Sequence, residues 1–475
     1  MDQLIHNLNK NQLYESVLIR DGIIHAVGSF HLLQNIATNG KLIDLKGNLL
    51  LPAFTDAHTH FVETAKQQLN LDLKDCNSEN TFYQKLIDFR DKNEILNLKW
   101  IKGSNLEIKN IEKYPNINKD MLDKVFPDIP VSIASRDLHS NMCNSKAINV
   151  LAENGVIINN NGFFYENSWS ILDKFIPSID EKILKELVKK LIQQCHKYGL
   201  CGVHSFEDKF AARLIQEISE EEHFYFTWYY LLDDETLISY EKENKHFRNA
   251  GIKFFTDGSL GSNTAWLFEN QHDDQKMAIE NMSQIVNAHL NNQQIAIHAI
   301  GDYAVYLTCK MFIELNRKYG FKQKHRIEHL QAVRPEDICL LNEANVHASM
   351  QPIHIKEDLE LLNRKWKIAK DYSFPIKSIA NVVDLAFGSD SPVETLNPFD
   401  GIKYAVNRDK FLPEEAITIE QAIDAYSYKH HVVANKPISY GKIEKGQIAN
   451  LIAVNENIID NYETEMTMID GVIIQ

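Results

Sequence analysis

The sequence predicts an α/β protein: a (β/α)8 TIM barrel with a small composite β-sandwich from both termini and a long insertion after barrel strand 1. Two observations lead to this fold class. Eight short apolar runs rich in β-branched residues alternate with helical segments, and both ends of the chain consist of short strands and turns. Strands that alternate with helices pair in parallel, and eight such units are typical of a closed barrel.

The eight runs predicted to form the barrel are four to nine residues long and mostly apolar. They cover residues 49–54, 202–206, 224–232, 252–255, 294–299, 325–330, 346–350 and 382–387. Between several of them lie segments with helical periodicity at 181–194, 282–291 and 303–318. Residues 61 to about 200 are too many for one crossover connection, so we expect an insertion there with its own strands and helices.

The two ends of the chain share one pattern, in which apolar runs are joined by an Asp-Gly pair. Runs 16–20 and 23–27 flank Asp21-Gly22, and runs 468–469 and 472–474 flank Asp470-Gly471. Such pairs are typical of tight β-hairpins. We therefore predict a composite β-sandwich domain from residues 1–50 and 436–475, and a catalytic barrel domain over 51–435. The alternative, two unrelated tails, would leave their apolar faces uncovered.

Composition excludes several classes of protein. The 475 residues include 50 Lys and Arg against 65 Asp and Glu, giving a net charge of −15, and 44% are hydrophobic, which excludes a disordered chain. Acidic charge without a basic stripe argues against nucleic-acid binding. No apolar run is long enough to span a membrane. Because the start lacks a signal-peptide pattern and the six cysteines form no CxxC pair, we expect a cytoplasmic protein with reduced thiols.

Histidines and acids follow the predicted strands. His58 and His60 come directly after the first run, and alternate residues of an extended chain point the same way, so both imidazoles can reach one metal ion. In a (β/α)8 barrel the chemistry lies at the carboxyl ends of the strands. The polar residues at that place in later runs are Lys253, His298, His329 and Asp390.

Sequence motifs spread over nearly the whole chain carry a family resemblance. They are LPAFTDAHTHF (51–61), RDLHSNMCNSKA (136–147), GVHSFED (202–208), KFFTDGSLGSNTAWL (253–267), HAIGDYAV (298–305), HRIEHLQ (325–331), SMQPIH (349–354), GSDSPVETLNPFDGI (388–402) and GKIEKGQIANLIAV (441–454). With them the chain resembles the amidohydrolase superfamily, specifically the family 3 branch of N-substituted formamide deformylase-like enzymes. Asn450 and Glu207 stand where relatives usually carry aspartate and histidine.

The resemblance implies a centre with one or two divalent ions of the Zn²⁺ type. The implied metal ligands are His58, His60, Lys253, His298, His329 and Asp390. Imidazole nitrogen and carboxylate oxygen both suit Zn²⁺. A lysine ammonium has no lone pair to offer, so Lys253 would act as a side-chain carbamate that bridges two ions. The alternative for Lys253 is an ion pair with Asp257 or Asp390.

The resemblance also implies hydrolysis of a carbon–nitrogen bond, other than a peptide bond, in an amide, formamide or cyclic amide. Metal-activated hydroxide would attack the carbonyl carbon, and Asp390 would carry the proton to the leaving nitrogen. Three rivals remain: a phosphoesterase on the same barrel, a non-catalytic metal-binding relative, and isomerisation or dehalogenation of a small ring. The partner expected is a small-molecule substrate, and a homodimer is compatible with the family.

Five further residues are candidates for contact with the substrate: Asp137, His139, Arg326, His354 and Trp266. Three of them have a structural alternative. His139 fits equally a hydrogen-bonded loop, Arg326 could pair with Glu328, and Trp266 could pack in the core. The sequence does not reveal the shape of the loops that set substrate specificity, so these residues remain candidates.

Overall fold

A computed structural model describes the chain except for residues 1, 39, 75, 97, 107–112, 136–139, 155–161, 166–171, 173, 232–240, 271–281 and 410. The chain divides into two compact units. The larger unit comprises Met1–Thr64 and Val188–Gln475, and the smaller comprises Ala65–Leu187. Among the helices described, none has the length and apolar character needed to cross a bilayer.

The described residues form strands and helices in the following order. The strands are β1 Asp2–His6, β2 Ser16–Arg20, β3 Ile23–Gly28, β4 Lys41–Asp44, β5 Leu49–Pro52, β6 Phe54–Thr59, β7 Leu71–Asp72, β8 Ile101–Leu106, β9 Val131–Ser135, β10 Ser140–Cys143, β11 Phe163–Tyr165, β12 Leu200–Glu207, β13 Tyr225–Leu231, β14 Phe247–Phe255, β15 Gln294–Ala299, β16 His325–His329, β17 Val346–Met350, β18 Leu385–Phe387, β19 Leu451–Val454, β20 Thr464–Ile469 and β21 Val472–Ile473. The α-helices are α1 Phe30–Ile36, α2 Phe61–Gln67, α3 Glu79–Leu96, α4 Lys119–Val125, α5 Ser145–Glu153, α6 Glu181–Lys197, α7 Lys209–Ile218, α8 Met282–Leu290, α9 Asp302–Tyr319, α10 Ile338–Glu343, α11 Ile355–Lys365, α12 Ile376–Ala380, α13 Pro398–Val406, α14 Ile419–Tyr426 and α15 Lys429–Val433. Short 3₁₀ turns cover Phe268–Asn270, Pro335–Asp337, Pro352–His354, Ala369–Tyr372 and Pro413–Glu415.

The predicted barrel is confirmed. Eight strands form one sheet in the order β18-β17-β16-β15-β14-β13-β12-β6, and every neighbouring pair in it is parallel. The two outer strands meet at their carboxyl ends, where a parallel bridge joins Thr59 to Ser391. The amide N–H of Asp390 donates to the carbonyl oxygen of His58 at 2.7 Å. The sheet thus closes at the place where the predicted metal ligands lie.

The first barrel strand differs from the prediction. Residues 49–54 were expected to form it, but β5 pairs antiparallel with β19 in another sheet, and the barrel strand is β6. Ala53 alone separates β5 from β6, and its amide N–H donates to the carbonyl oxygen of Asn450. Residues 49–54 therefore belong first to β5, in the sheet with β19, and then to β6, in the barrel sheet. As a consequence His58 lies within the barrel strand, and His60 directly follows it.

Two four-stranded sheets are formed by the ends of the chain. One has the order β3-β2-β1-β4, and the other, β21-β20-β19-β5, combines both ends. Both predicted hairpins are present, and the turn residues Asp21, Gly22, Asp470 and Gly471 all have positive φ, as a tight two-residue turn requires. Side chains of the two sheets share one buried cluster, which includes Ile5, Val17, Ile19, Leu50, Leu451 and Met468.

The smaller unit has a five-stranded sheet of its own, in the order β11-β10-β9-β8-β7. Helices α3, α4 and α5 belong to this unit. Apolar side chains of its strands and helices form a separate core that includes Phe82, Leu86, Ile101, Leu122, Ile133 and Met142. The unit therefore has the separate hydrophobic core that is typical of an independent domain.

Close packing between β14 and β15 yields a test of the barrel. Gly251 lies opposite Gln294, and a Cβ at this position would overlap the Gln294 carbonyl oxygen. We expect Gly251→Ala to lower the free energy of unfolding by about 1–3 kcal/mol, as overpacking does in other cores. Chemical denaturation followed by circular dichroism measures the change.

Gly261→Ala is the matched control, because a Cβ there meets only the Ser259 hydroxyl, at 3.9 Å. It should stay within about 0.5 kcal/mol of the wild type. Equal stability of both variants would contradict the tight register between β14 and β15.

Candidate metal centre

Three predicted ligands converge at the carboxyl end of the barrel. Nε2 of His58 lies 3.5 Å from Oδ1 of Asp390, and Nε2 of His60 lies 3.7 Å from the same oxygen. One ligand atom from each of the three residues lies within 4.8 Å of the other two. Ligands around a tetrahedral Zn²⁺, about 2.0–2.2 Å from the ion, are spaced in this way.

Main-chain hydrogen bonds hold these ligands in place. The buried carboxylate of Asp56 accepts from the amide N–H of His58 at 2.9 Å and from that of Ser389 at 3.0 Å. The amide N–H of His60 donates to the carbonyl oxygen of Ser391 at 2.7 Å. Asp390, in the loop after β18, has a φ of 58°, in the left-handed region. The end of β6 and the loop after β18 are thereby joined.

A buried charged pair orients His58. Its Nδ1 lies 2.7 Å from Oε2 of Glu328, and both carboxylate oxygens of Glu328 accept from the Arg326 guanidinium, at 2.6 and 2.9 Å. Arg326 and Glu328 have no exposed surface. Burial, reinforced by the Lys253 ammonium, holds the pKa of His58 well below its usual range. The neutral imidazole therefore donates from Nδ1 and leaves the Nε2 lone pair for a metal.

His60 is oriented in the same way by a carbonyl group. Its Nδ1 lies 3.0 Å from the Phe206 carbonyl oxygen, which can only accept, so the proton is on Nδ1. Burial lowers the pKa of His60 to about 4. Its Nε2 lone pair, like that of His58, therefore faces Asp390 in the neutral form.

Lys253 lies beside this group in a buried position. Its Nζ is 3.4 Å from Nε2 of His58 and 4.5 Å from the centre of the Phe206 ring. Within the described residues, no carboxylate forms an ion pair with it. Asp257, the suggested partner, instead accepts backbone N–H groups of three residues in the loops after β14 and β15. Burial lowers the pKa of Lys253 and raises that of Asp390.

His298 and His329 lie next to the first three ligands. Their ring centroids are 4.4 Å apart, and the rings of His329 and His58 are 4.8 Å apart. Nδ1 of His329 faces the Gln351 side-chain oxygen at 2.8 Å, whereas Nε2 of His298 faces the Gly258 carbonyl oxygen at 2.9 Å. Neither imidazole has a ligand atom in the compact group of His58, His60 and Asp390.

The predicted substrate contacts fall in different environments. Asp137 and His139 lie outside the described residues. Arg326 is fully buried and pairs with Glu328, which was its structural alternative. Trp266 is 7% exposed.

His354 is also 7% exposed, and its Nε2 lies 3.3 Å from the Ser389 carbonyl oxygen. It thus lies beside the loop that carries Asp390. Sequence reasoning missed the positioning roles of Asp56 and Glu328. Asp56 lies two residues before His58 on β6, and Glu328 lies one residue before His329 on β16. This position next to a predicted ligand was the signal in the sequence.

The donor set fits a divalent ion. Two neutral imidazole nitrogens and one carboxylate oxygen are ligands that Zn²⁺ and similar cations take in proteins. Each imidazole is fixed by a hydrogen bond from its other nitrogen, which is the usual arrangement for ligating histidines. The residues present therefore fit the metal that the resemblance implies.

Comparison with known proteins identifies the family of this chain. The amidohydrolase family matches residues 41–475. YtcJ of Bacillus subtilis is 24% identical, covering 98% of this chain and 97% of its own, and the N-substituted formamide deformylase of Arthrobacter pascens is 21% identical, covering 99% and 98%. The structure of a metal-dependent hydrolase from Pyrococcus furiosus superposes with a TM-score of 0.80 at 24% identity, covering 97% and 100%. The chain belongs to the amidohydrolase family.

Proposed function

We propose that this protein is a metal-dependent hydrolase that cleaves a carbon–nitrogen bond, other than a peptide bond, in a small amide, formamide or cyclic amide. The observation that supports this most directly is the convergence of His58, His60 and Asp390 at the carboxyl end of the barrel. That end is where (β/α)8 enzymes bind their substrates. The relative from Arthrobacter pascens, a formamide deformylase by name, points to the same bond type.

His58, His60 and Asp390 would hold the ion, and Zn²⁺ is the ion that suits them. When bound, a divalent ion polarises a carbonyl group and makes water nucleophilic at neutral pH. The hydrogen bonds from Nδ1 of both histidines keep each Nε2 lone pair directed at the ion.

Asp390 is placed to move the proton. Its side chain is 13% exposed, so it reaches both the buried histidines and the substrate side of the site. A carboxylate there can accept the proton of the attacking water and then deliver it to the leaving nitrogen, which departs as an amine. Burial favours the protonated carboxyl, so the acid form needed for the second step is accessible.

Lys253 is a candidate for carboxylation. Burial favours its neutral amine, whose lone pair can attack the carbon of CO₂, forming a C–N bond and releasing a proton. The product is an anionic carbamate next to His58, able to ligate where the ammonium cannot. Glu328 and Asp390 attract the charged form of Lys253 electrostatically, but among the described residues no carboxylate lies within ion-pair distance of it, which supports this assignment.

Phosphoester hydrolysis is less well supported. That reaction needs cationic groups for the phosphoryl oxygens, and Arg326 was the one clear candidate. The Arg326 guanidinium is fully buried and donates to Glu328, Tyr229 and the Ala57 carbonyl oxygen. It is therefore occupied within the barrel, and the carbon–nitrogen reaction is favoured.

Asp390→Asn tests the proton-transfer role. The amide cannot accept the proton of water, so we expect kcat/KM to fall by about 10²–10⁴-fold, the usual contribution of general acid–base catalysis. The assay is release of formate, ammonia or amine from a panel of N-substituted formamides and cyclic amides. Asp371→Asn, at an exposed position, is the control and should retain full activity. Turnover of Asp390→Asn equal to that of the wild type would refute the mechanism.

Metal content tests the ligand assignment independently of substrate. Purified wild-type protein should contain at least one equivalent of a divalent ion by mass spectrometry. His58→Ala removes a ligand from a three-residue site, so we expect its Zn²⁺ affinity to fall at least about 10-fold, in line with the effect of losing even a supporting contact.

His31→Ala, at an exposed position on α1, is the matched control and should keep wild-type metal content. If His58→Ala bound Zn²⁺ as tightly as the control, His58 would not be a ligand.

A further inference from the structure

A small pocket lies at the end of the barrel opposite the metal centre. It is lined by the first residues of β13, by Arg248 near the start of β14, and by α15 with the segment that follows it. We call it the floor pocket. It is a small recess that is only partly enclosed by these residues.

Three buried imidazoles line the floor pocket with a nitrogen that has no partner. His204, His430 and His431 are 0%, 1% and 4% exposed, and in the described part of the chain Nε2 of each lacks a hydrogen bond. Their rings are neighbours, with centroids 5.5 Å apart for the first pair and 3.9 Å for the second. Leaving such groups unsatisfied costs about 1–3 kcal/mol each, so the pocket is built for an occupant.

The proton position on His204 is fixed by its neighbour. Arg326 donates from Nη1 to Nδ1 of His204 at 2.9 Å, and a guanidinium has no lone pair with which to accept. Nδ1 therefore carries no proton. Burial holds the pKa of His204 well below its usual range, so the neutral ring bears its proton on Nε2. The floor pocket thus receives at least one N–H donor.

The charge lining the floor pocket is positive. Arg248 and Lys436 both line it, and among the described residues no carboxylate forms an ion pair with Arg248. Glu243 lies 4.0 Å from the Lys436 ammonium, and Asp470 accepts a hydrogen bond from the hydroxyl of Tyr225, which also lines the pocket. Burial, together with Arg248, lowers the pKa of His431 to about 3, so that imidazole stays neutral.

We propose that the floor pocket binds one halide ion, chloride under ordinary conditions, with Arg248 supplying the opposite charge and Nε2 of His204 a hydrogen bond. A small inorganic anion suits this lining of cationic groups and an N–H donor. A metal cation is disfavoured, because the lining is cationic and Nε2 of His204 holds a proton. Water would also satisfy the imidazoles, and the experiment below distinguishes water from a halide.

Bromide provides a direct test. A crystal soaked in sodium bromide should show an anomalous peak in the floor pocket, within hydrogen-bond distance of Nε2 of His204. In solution, the melting temperature should rise by about 2 °C between 0 and 100 mM chloride, with sodium isethionate keeping the ionic strength constant, because a ligand of the native state stabilises it. Isethionate keeps the ionic strength constant without supplying a halide.

Arg248→Gln should abolish the difference between chloride and isethionate, and Arg364→Gln, an exposed arginine on α11, should preserve it. If Arg248→Gln does not fold, Lys436→Gln should show a smaller chloride effect than the wild type. No bromide peak and equal melting temperatures in the two salts would show that the pocket holds water and would overturn the proposal.

Discussion

The buried pair of Arg326 and Glu328 is the interaction on which the rest of the structure depends. Two charges without exposed surface are tolerated only when every partner is in place, and loss of one partner of such a pair typically costs 3–5 kcal/mol. Here the partners come from different strands: His58 on β6, His204 on β12 and Tyr229 on β13. The pair therefore joins four strands inside the barrel and, through His58, fixes the orientation of a proposed metal ligand. Stability and site geometry have the same physical origin.

Two further buried carboxylates join separate main-chain segments at the carboxyl ends of the strands. Asp56 accepts backbone N–H groups from β6 and from the loop after β18, and Asp257 accepts them from the loops after β14 and β15. Burial raises the pKa of both carboxyls to about 7, opposed by those hydrogen bonds. Loops that are held in this way keep ligands within the narrow tolerances that metal coordination and catalysis require. The site thus rests on contacts between buried carboxylates and main-chain N–H groups, and a Cβ added at Gly388 or Gly301 would overlap the atoms that make or adjoin them.

Features that depend on residues close together in the chain could be predicted from the sequence, and features that depend on distant contacts could not. The barrel strands and the residues at their ends were predictable, because each strand is a short apolar run followed by a polar residue. The first strand was misplaced, because residues 49–59 are extended on both sides of Ala53 and only the distant pairing of β5 with β19 separates two strands. The contact of Glu328 with His58 spans 270 residues, and no local pattern marks it. The floor pocket depends likewise on residues from β12, β14 and α15.

The single residue between β5 and β6 has a consequence for the order of assembly. The strand that bears His58 continues directly from one whose hydrogen-bonding partner, β19, is synthesised about 400 residues later. On the ribosome, at roughly 5–20 residues per second, that partner follows after an interval of tens of seconds. The nascent chain has His58 and His60 throughout this interval, lacks Asp390 for most of it, and lacks β19 until its end. Loading of the ion is therefore a late event, and a chain that stops before β19 would expose β5 as an unpaired edge open to aggregation.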